Sequence, residues 1–438
     1  MKAQLIGLLS AVMLAACASQ TEQQQAAQMN KQVCDLPYTT YQATVTGHCQ
    51  VPKAVLPQDI ERDEMVLEMR PYEQIPEVFF YNKGLKYAAV TQEQPAPLVF
   101  SIAGTGGSYD GSKMRNLEKG FYQQGYHVIS LSSPTFSNFI VNASTGEDHF
   151  PGFLEKDAEI LYEVLEKTLA QVKAEKEIEV TEFYLTGYSL GGAHSAYLAK
   201  LDQERKQFNF KKVLLVNPPV SLYNSVSVLD GYLDIDDGDV AKRDRLNATF
   251  ENIIDRFSDA YASMESASFT QDSIYQLFGQ SNLTEDELKL LIGTSFRMSS
   301  AEMIYAIDTT FNYGAVIYKD HEISKYENNF HSFVRASRKG FLNYFDRAIV
   351  AHYTKEDPNL TRDELIERLS LKAIEDFLVQ ADNVSVVTNA DDIILADGEV
   401  EYLQSVFKDR AKIFPQGGHC GNMDRKDFVA YINKYFAK

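Results

Sequence analysis

The sequence predicts an α/β protein: a mostly parallel sheet with helices on both faces, interrupted by one large helical insertion. Three observations carry that prediction. Short apolar runs ended by Gly, Asn or Pro alternate with amphipathic segments from about residue 98 to 219. The alternation stops over 222–380, where only helix-type periodicity is found, and resumes at 384. The composition, 45% hydrophobic and 24% charged over 438 residues, is that of a folded chain long enough to bury a large core.

Residues 1–17 read MKAQLIGLLSAVMLAAC. Lys2 precedes an apolar run from Leu5 to Ala16 that is too short to span a bilayer comfortably. The ending Leu14-Ala15-Ala16-Cys17 resembles the bacterial lipobox. That resemblance implies that residues 1–16 are a lipoprotein signal peptide and that Cys17 is lipidated and becomes the mature N-terminus. It implies a protein anchored to the bacterial cell envelope. If the host is Gram-negative, Ala18 in place of Asp implies sorting to the outer membrane, facing the periplasm or the surface. In such an oxidising compartment Cys34 and Cys49 are read as a local disulfide, whose loop of about 15 residues is worth ~3 kcal/mol. Residues 18–33, rich in Gln and poor in large apolar groups, read as a flexible tether, so 17–75 is expected to be a lipidated tether and N-terminal segment.

Leu98–Ala103, stopped by Gly104, is the first expected buried strand. A helix is expected over 117–124, a strand over 126–131, and a helix over 154–175 with Leu154, Leu161, Val164, Leu165 and Leu169 at helical spacing. The strand 183–186 leads into a small-residue helix over 192–200, and Val213–Val216 ends at Asn217-Pro218-Pro219. In the insertion, Leu246, Phe250, Ile253, Ile254, Phe257 and Tyr261 fall on one helical face. Capping-box patterns at Thr284…Glu287, Ser299…Glu302 and Thr361…Glu364 predict three helix starts. Then come a strand over 384–387, a helix near 399–407, a strand over 412–414 and a last helix near 426–436. The expected division is a core in two parts, 76–221 and 381–438, with a helical cap or lid over 222–380.

With 61 acidic against 42 basic side chains the net charge is −19, which argues against nucleic-acid partners and against docking on anionic lipid through a basic surface. Any membrane attachment is expected through the N-terminal lipid alone, and a protein partner is unknown.

Gly187-Tyr188-Ser189-Leu190-Gly191 matches the G-x-S-x-G nucleophile elbow and lies between the strand FYLT and the helix AHSAYLAK. In that strand–turn–helix setting the chain resembles the α/β-hydrolase fold, specifically esterase- and lipase-like serine hydrolases, over about 85–220 and 381–438. The resemblance implies that Ser189 is the nucleophile and that an acid and a histidine follow it in that order. His419, in Pro415-Gln416-Gly417-Gly418-His419-Cys420-Gly421 directly after the last expected strand, is the one histidine of eight in that place. The acid is left open between two neighbours. Aligned without gaps to the family's G-x-x-D loop, Asn389 takes the glycine position and Asp392 the acid; a one-residue shift selects Asp391. The backbone N–H of Leu190 is expected as one oxyanion donor. Ala103-Gly104-Thr105-Gly106-Gly107 resembles the family's glycine-rich oxyanion loop, so Thr105 or Gly106 is expected to supply the other. That loop lacks the Lys-Ser/Thr of a phosphate-binding loop, and no His or Cys spacing suggests a metal. The implied reaction is cofactor-free hydrolysis of an ester, thioester or amide of a small-molecule or lipid-like acyl substrate; peptidase and acyltransferase chemistry use the same residues. The alternative class is a catalytically silent hydrolase-fold lipoprotein that binds a partner. An acidic cap rich in Phe, Tyr and Leu is expected to shape an apolar pocket and to discourage anionic substrates.

Overall fold

A computed structural model describes residues 38–47, 51–144, 149–234, 239–263, 275, 283–319, 321, 323–327 and 330–437. Cys17, Cys34 and Cys49, with the signal peptide, lipid anchor, tether and disulfide expected there, lie outside the described residues.

Eight strands form one sheet: β1 (Asp63–Leu67), β2 (Leu85–Val90), β3 (Ala96–Ile102), β4 (His127–Leu131), β5 (Val180–Tyr188), β6 (Val213–Val216), β7 (Val384–Asn389) and β8 (Ala411–Phe414). Their spatial order is β1-β2-β4-β3-β5-β6-β7-β8. β2 runs antiparallel to both β1 and β4, and every pair from β4–β3 onward is parallel. The six parallel strands are those read from the sequence: β3, β4, β6 and β7 are buried along their whole length, β5 over its second half, and β8 is the partly exposed edge strand. Alternate residues feed two cores. Leu98, Phe100 and Ile102 of β3 point into one apolar cluster and Val99 into the other; Val213 and Leu215 of β6 part from Leu214 and Val216 in the same way.

Helix α1 (Thr40–Thr46) precedes the sheet. The core helices are α2 (Ser112–Gln123), α3 (Ser137–Ala143), α4 (Leu154–Lys176) and α5 (Leu190–Arg205). Between β6 and β7 the chain forms α6 (Leu222–Gly231), α7 (Val240–Ser263), α8 (Glu285–Phe311), α9 (Phe330–Ser337), α10 (Gly340–Tyr344), α11 (Ala351–Glu356), α12 (Arg362–Arg368) and α13 (Glu375–Gln380). The last helices are α14 (Glu399–Phe407) and α15 (Lys426–Phe436). Leu246 and Ile253 of α7 are buried as expected of that face; the side chains of Phe250, Ile254, Phe257 and Tyr261 lie outside the description.

Two expected capping boxes form, Thr284 with Glu287 at the start of α8 and Thr361 with Glu364 at the start of α12. The third does not: Ser299 and Glu302 sit in mid-α8. A cap needs a break before it, and the residues ahead of Ser299 continue the helix. Glu302 instead accepts a hydrogen bond from Ser137 Oγ at 2.5 Å, tying α8 to α3. The insertion joins the sheet through a narrow neck. Leu222 N–H donates to Leu369 O and Leu371 N–H to Val220 O, both at 2.8 Å.

Candidate active site

The parallel strands end at one edge of the sheet, and the loops that follow β3, β5, β6, β7 and β8 converge there. In such sheets this is where ligands bind. Ser189 occupies the turn between β5 and α5 with φ 54° and ψ −128°, a strained conformation for a residue with a side chain. The elbow is possible because its flanking glycines have no Cβ. A methyl carbon on Gly187 would lie 2.2 Å from Gly191 O, and one on Gly191 would lie 2.2 Å from Ile102 O. Crowding from both sides holds the turn sharp and the hydroxyl outward.

His419 Nε2 lies 2.9 Å from Ser189 Oγ, and its Nδ1 lies 2.9 Å from Asp392 Oδ1. With the carboxylate accepting from Nδ1–H, the free lone pair is on Nε2, facing the serine hydroxyl. Asp392 is 5% exposed and is itself held: Asn217 Nδ2 donates to its Oδ2 at 2.7 Å, and Ile394 N–H donates to its Oδ1 at 3.2 Å. Burial opposes charge on the His419 imidazole, but the Asp392 carboxylate, with the adjacent Cys420 sulfur, more than offsets it, and the histidine is raised above its ordinary value. Asp391 faces elsewhere. It accepts from Gly418 N–H at 3.0 Å and from the Tyr38 hydroxyl. The two candidate acids are thus separated by partner, and Asp392 is the one beside the imidazole.

Leu190, the first residue of α5, carries one of the backbone donors that a helix start leaves unpaired. In the loop after β3, Gly106 N–H donates to Thr135 Oγ1 at 2.8 Å. That bond engages Gly106, while Thr105 lines the cleft with Ser189.

Ser189 stands between two cleft walls. One is apolar: Leu222, Val226 and Leu229 of α6, Ile292 and Phe296 of α8, and Ile394. The other contains Ser108, Lys113, Tyr188 and Cys420, with Lys113 Nζ 6.0 Å from the centre of the Tyr188 ring. Neither wall contains a carboxylate among the described residues, so the acidity of the insertion is not expressed beside the serine. Cys420 is a buried free thiol.

A second Ser-His-Asp array exists and is sealed. Ser144 Oγ lies 2.9 Å from His149 Nδ1, His149 Nε2 lies 2.7 Å from Asp157 Oδ1, and His194 Nε2 lies 2.9 Å from Asp157 Oδ2. Ser144 and His149 are 1% and 3% exposed, so no substrate reaches them. Asp157 also accepts Gly152 N–H at 2.9 Å. The cluster pins the chain before α4 to the elbow helix.

Sequence reasoning missed Tyr38 and Thr44 in the N-terminal segment and Asn217 after β6. Asn217 stands where a carboxylate was looked for and not found, and its left-handed φ of 45° marks a specialised turn.

No family model and no curated protein matches the chain. Among solved structures it is similar to a membrane phospholipase A described as a bacterial virulence factor, at 15% identity over 99% of this chain and 98% of that one, TM-score 0.40. It is also similar to carboxyl esterase 2 from the mycorrhizal fungus Tuber melanosporum, at 14% identity over 87% and 88%, TM-score 0.40. A third is a thioesterase domain from the curacin biosynthetic pathway, at 13% identity over 85% and 98%, TM-score 0.36. The chain's own sheet order, its two antiparallel edge pairings and its β5–Ser189–α5 turn are those of the α/β-hydrolase fold.

Proposed function

We propose that this protein is a serine hydrolase that cleaves an ester, thioester or amide through an acyl-enzyme. The observation that carries the reading is the continuous Ser189–His419–Asp392 hydrogen-bond chain, 2.9 Å at each imidazole nitrogen, at the mouth of a cleft. In this reading Ser189 Oγ attacks the carbonyl carbon while its proton passes to His419 Nε2. The N–H groups of Leu190 and Thr105 hold the negative charge that develops on the carbonyl oxygen. The imidazolium, stabilised by Asp392, returns the proton to the leaving oxygen, sulfur or nitrogen. Water then repeats the sequence on the acyl-enzyme and frees Ser189. The apolar wall built largely by α6 and α8 receives the acyl group, and the wall carrying Ser108 and Lys113 receives the leaving group. Anchoring to the bacterial envelope through a lipid on Cys17, after removal of residues 1–16, completes the proposal.

A fluorophosphonate probe tests the chemistry: the wild-type chain is expected to label and Ser189→Ala not to. Equal labelling of both, or none of the wild type, would sink the reading. A panel of p-nitrophenyl acyl esters against aminoacyl amides then separates esterase from peptidase. Incorporation of a fatty-acid analogue, lost in Cys17→Ser, tests the anchor.

A further inference from the structure

The histidine loop has little regular structure to hold it. Gly417 to Gly421 follow β8 with two residues, Gly418 and Cys420, at left-handed φ of 56° and 59° on either side of His419. Three consecutive backbone N–H groups in this loop donate to side chains. Gly417 N–H donates to the Tyr38 hydroxyl at 2.8 Å, Gly418 N–H to Asp391 Oδ1 at 3.0 Å, and His419 N–H to Thr44 Oγ1 at 2.9 Å. Two of the three acceptors belong to the segment Tyr38–Gly47, more than three hundred and seventy positions away in sequence. That segment also grips Asp391: Tyr38 donates to its carboxylate, and Thr40 Oγ1 donates to its carbonyl at 2.5 Å.

The fit is backbone against backbone. A methyl carbon on Gly418 would lie 2.4 Å from Thr40 O, and one on Gly421 would lie 2.0 Å from Ala43 O. The helix lying across the loop therefore explains Gly418 and Gly421, whereas Gly417 is required by the Asn389 side chain, 2.5 Å from where its methyl carbon would lie. Thr44 itself is 5% exposed, donates to Thr40 O at 2.8 Å and borders both cleft walls beside Ser189.

We propose that the segment Tyr38–Gly47 is a working wall of the active site and that Thr44 is a positioning residue for His419, its hydroxyl fixing the main chain from which the imidazole spans Ser189 and Asp392. The proposal rests on the serine-hydrolase reading. Its physical basis is leverage: the ring is bonded through Nδ1 and Nε2, and the N–H of His419 itself is held by Thr44 Oγ1 in a loop otherwise fixed through Gly417 and Gly418. A shift of about 1 Å at that root takes Nε2 out of reach of the serine hydroxyl, a misplacement that can cost roughly 10²-fold in rate. Asp392 alone does not prevent it, because a single carboxylate partner leaves the ring free to swing about that bond.

The experiment compares Thr44→Val, Thr44→Ser and Tyr38→Phe in the full chain. The readouts are the rate of fluorophosphonate labelling, kcat and KM on p-nitrophenyl butyrate, the pH profile of labelling, and the thermal midpoint. Thr44→Val keeps the shape and removes the hydroxyl. It is expected to slow labelling and kcat by roughly 10- to 100-fold with KM changed by less than about threefold, and to move the pH inflection toward acid as the imidazole loosens from Asp392. Thr44→Ser restores the hydroxyl and is expected to stay within about threefold of wild type. Wild-type labelling and pH profile in Thr44→Val would overturn the proposal, as would equal damage in Thr44→Ser. Should Thr44→Val not fold, Tyr38→Phe decides from the other end of the segment: slower labelling at an unchanged thermal midpoint supports the proposal, and unchanged labelling overturns it. Loss of labelling in Ser189→Ala is read separately; its absence would indict the hydrolase reading and not Thr44.

Discussion

Asp391 and Asp392 are neighbours in the chain with unrelated duties: Asp392 Oδ1 lies 2.9 Å from His419 Nδ1, whereas Asp391 Oδ1 accepts the backbone N–H of Gly418 at 3.0 Å. One carboxylate holds the His419 ring and the other holds its loop. Asp392→Asn is therefore expected to lower kcat by as much as ~10⁴-fold, since an amide can hold the wrong tautomer of the imidazole. Asp391→Asn is expected to cost about tenfold, because it weakens a positioning contact and leaves the proton path intact. Steady-state kinetics of the two variants side by side decide it, and equal losses would remove the division of labour.

The raised pKa of His419 sets two pH trends of opposite sign. The proposed reaction needs His419 neutral, so kcat/KM is expected to rise with pH through an inflection above 6.5. The ion pair with Asp392 favours the protonated ring in the folded state. Its contribution to stability is complete below about 6.5, the unfolded value, and is lost as pH climbs through the raised folded value. Thermal midpoints of wild type and Asp392→Asn across that window, set beside the labelling profile, check both signs.

Thr135 Oγ1 accepts the N–H of Gly106 and lies 2.9 Å from Ser133 Oγ, so it braces the glycine loop in which Thr105 is the proposed oxyanion donor. Thr135→Val leaves a buried donor without an acceptor, at about 1–3 kcal/mol. Turnover is expected to fall by about tenfold, short of the ~10²–10³-fold seen when an oxyanion donor is deleted outright. Denaturant unfolding and kcat measured on the same preparation test the pair of effects; unchanged turnover would detach Thr135 from the loop's function.

Asp157 is fully buried, and burial acts to raise its pKa, but hydrogen bonds from His149 and His194 hold it below the ordinary carboxylate range. Asp157→Asn puts amide hydrogens against donors and is expected to destabilise the fold by about 3–5 kcal/mol. Ser144→Ala, at the dead end of the same array, is expected to leave fluorophosphonate labelling untouched. Loss of labelling there at an unchanged thermal midpoint would mean that this array does more than hold the chain together.

Much of the architecture was legible because its strands are covered on both faces. Val213–Val216, Glu399–Phe407 and Lys426–Phe436 lie where the apolar pattern puts them. β1 escaped notice because Asp63–Leu67 is polar and half-exposed and takes its place from antiparallel pairing at the sheet edge, not from any run of its own, whereas β2, Leu85–Val90, is a buried apolar run that sequence reasoning simply missed. The Ser299…Glu302 pattern misled for a related reason: the letters of a capping box carry no information about whether the helix before them has ended. At the site, Ser189 and His419 stood out by their glycine settings, while the choice between Asp391 and Asp392 needed the third dimension. Tyr38 and Thr44 left no signal, since a hydroxyl that meets a loop more than three hundred and seventy residues later looks like any other Thr or Tyr.

The neck at Val220–Leu222 and Leu369–Leu371 bears on how this molecule can change. Two backbone hydrogen bonds hold the stumps together whatever lies beyond them. The entropy of closing such a loop grows only logarithmically, about 0.6 kcal/mol for each doubling of its length. The sheet is therefore nearly indifferent to the size of the excursion, yet that excursion furnishes most of the apolar wall beside Ser189. In the proposed reading a different insertion at this graft point would change the apolar wall, and it would also have to replace the packing of Tyr232 and Lys289 against Tyr41 of α1.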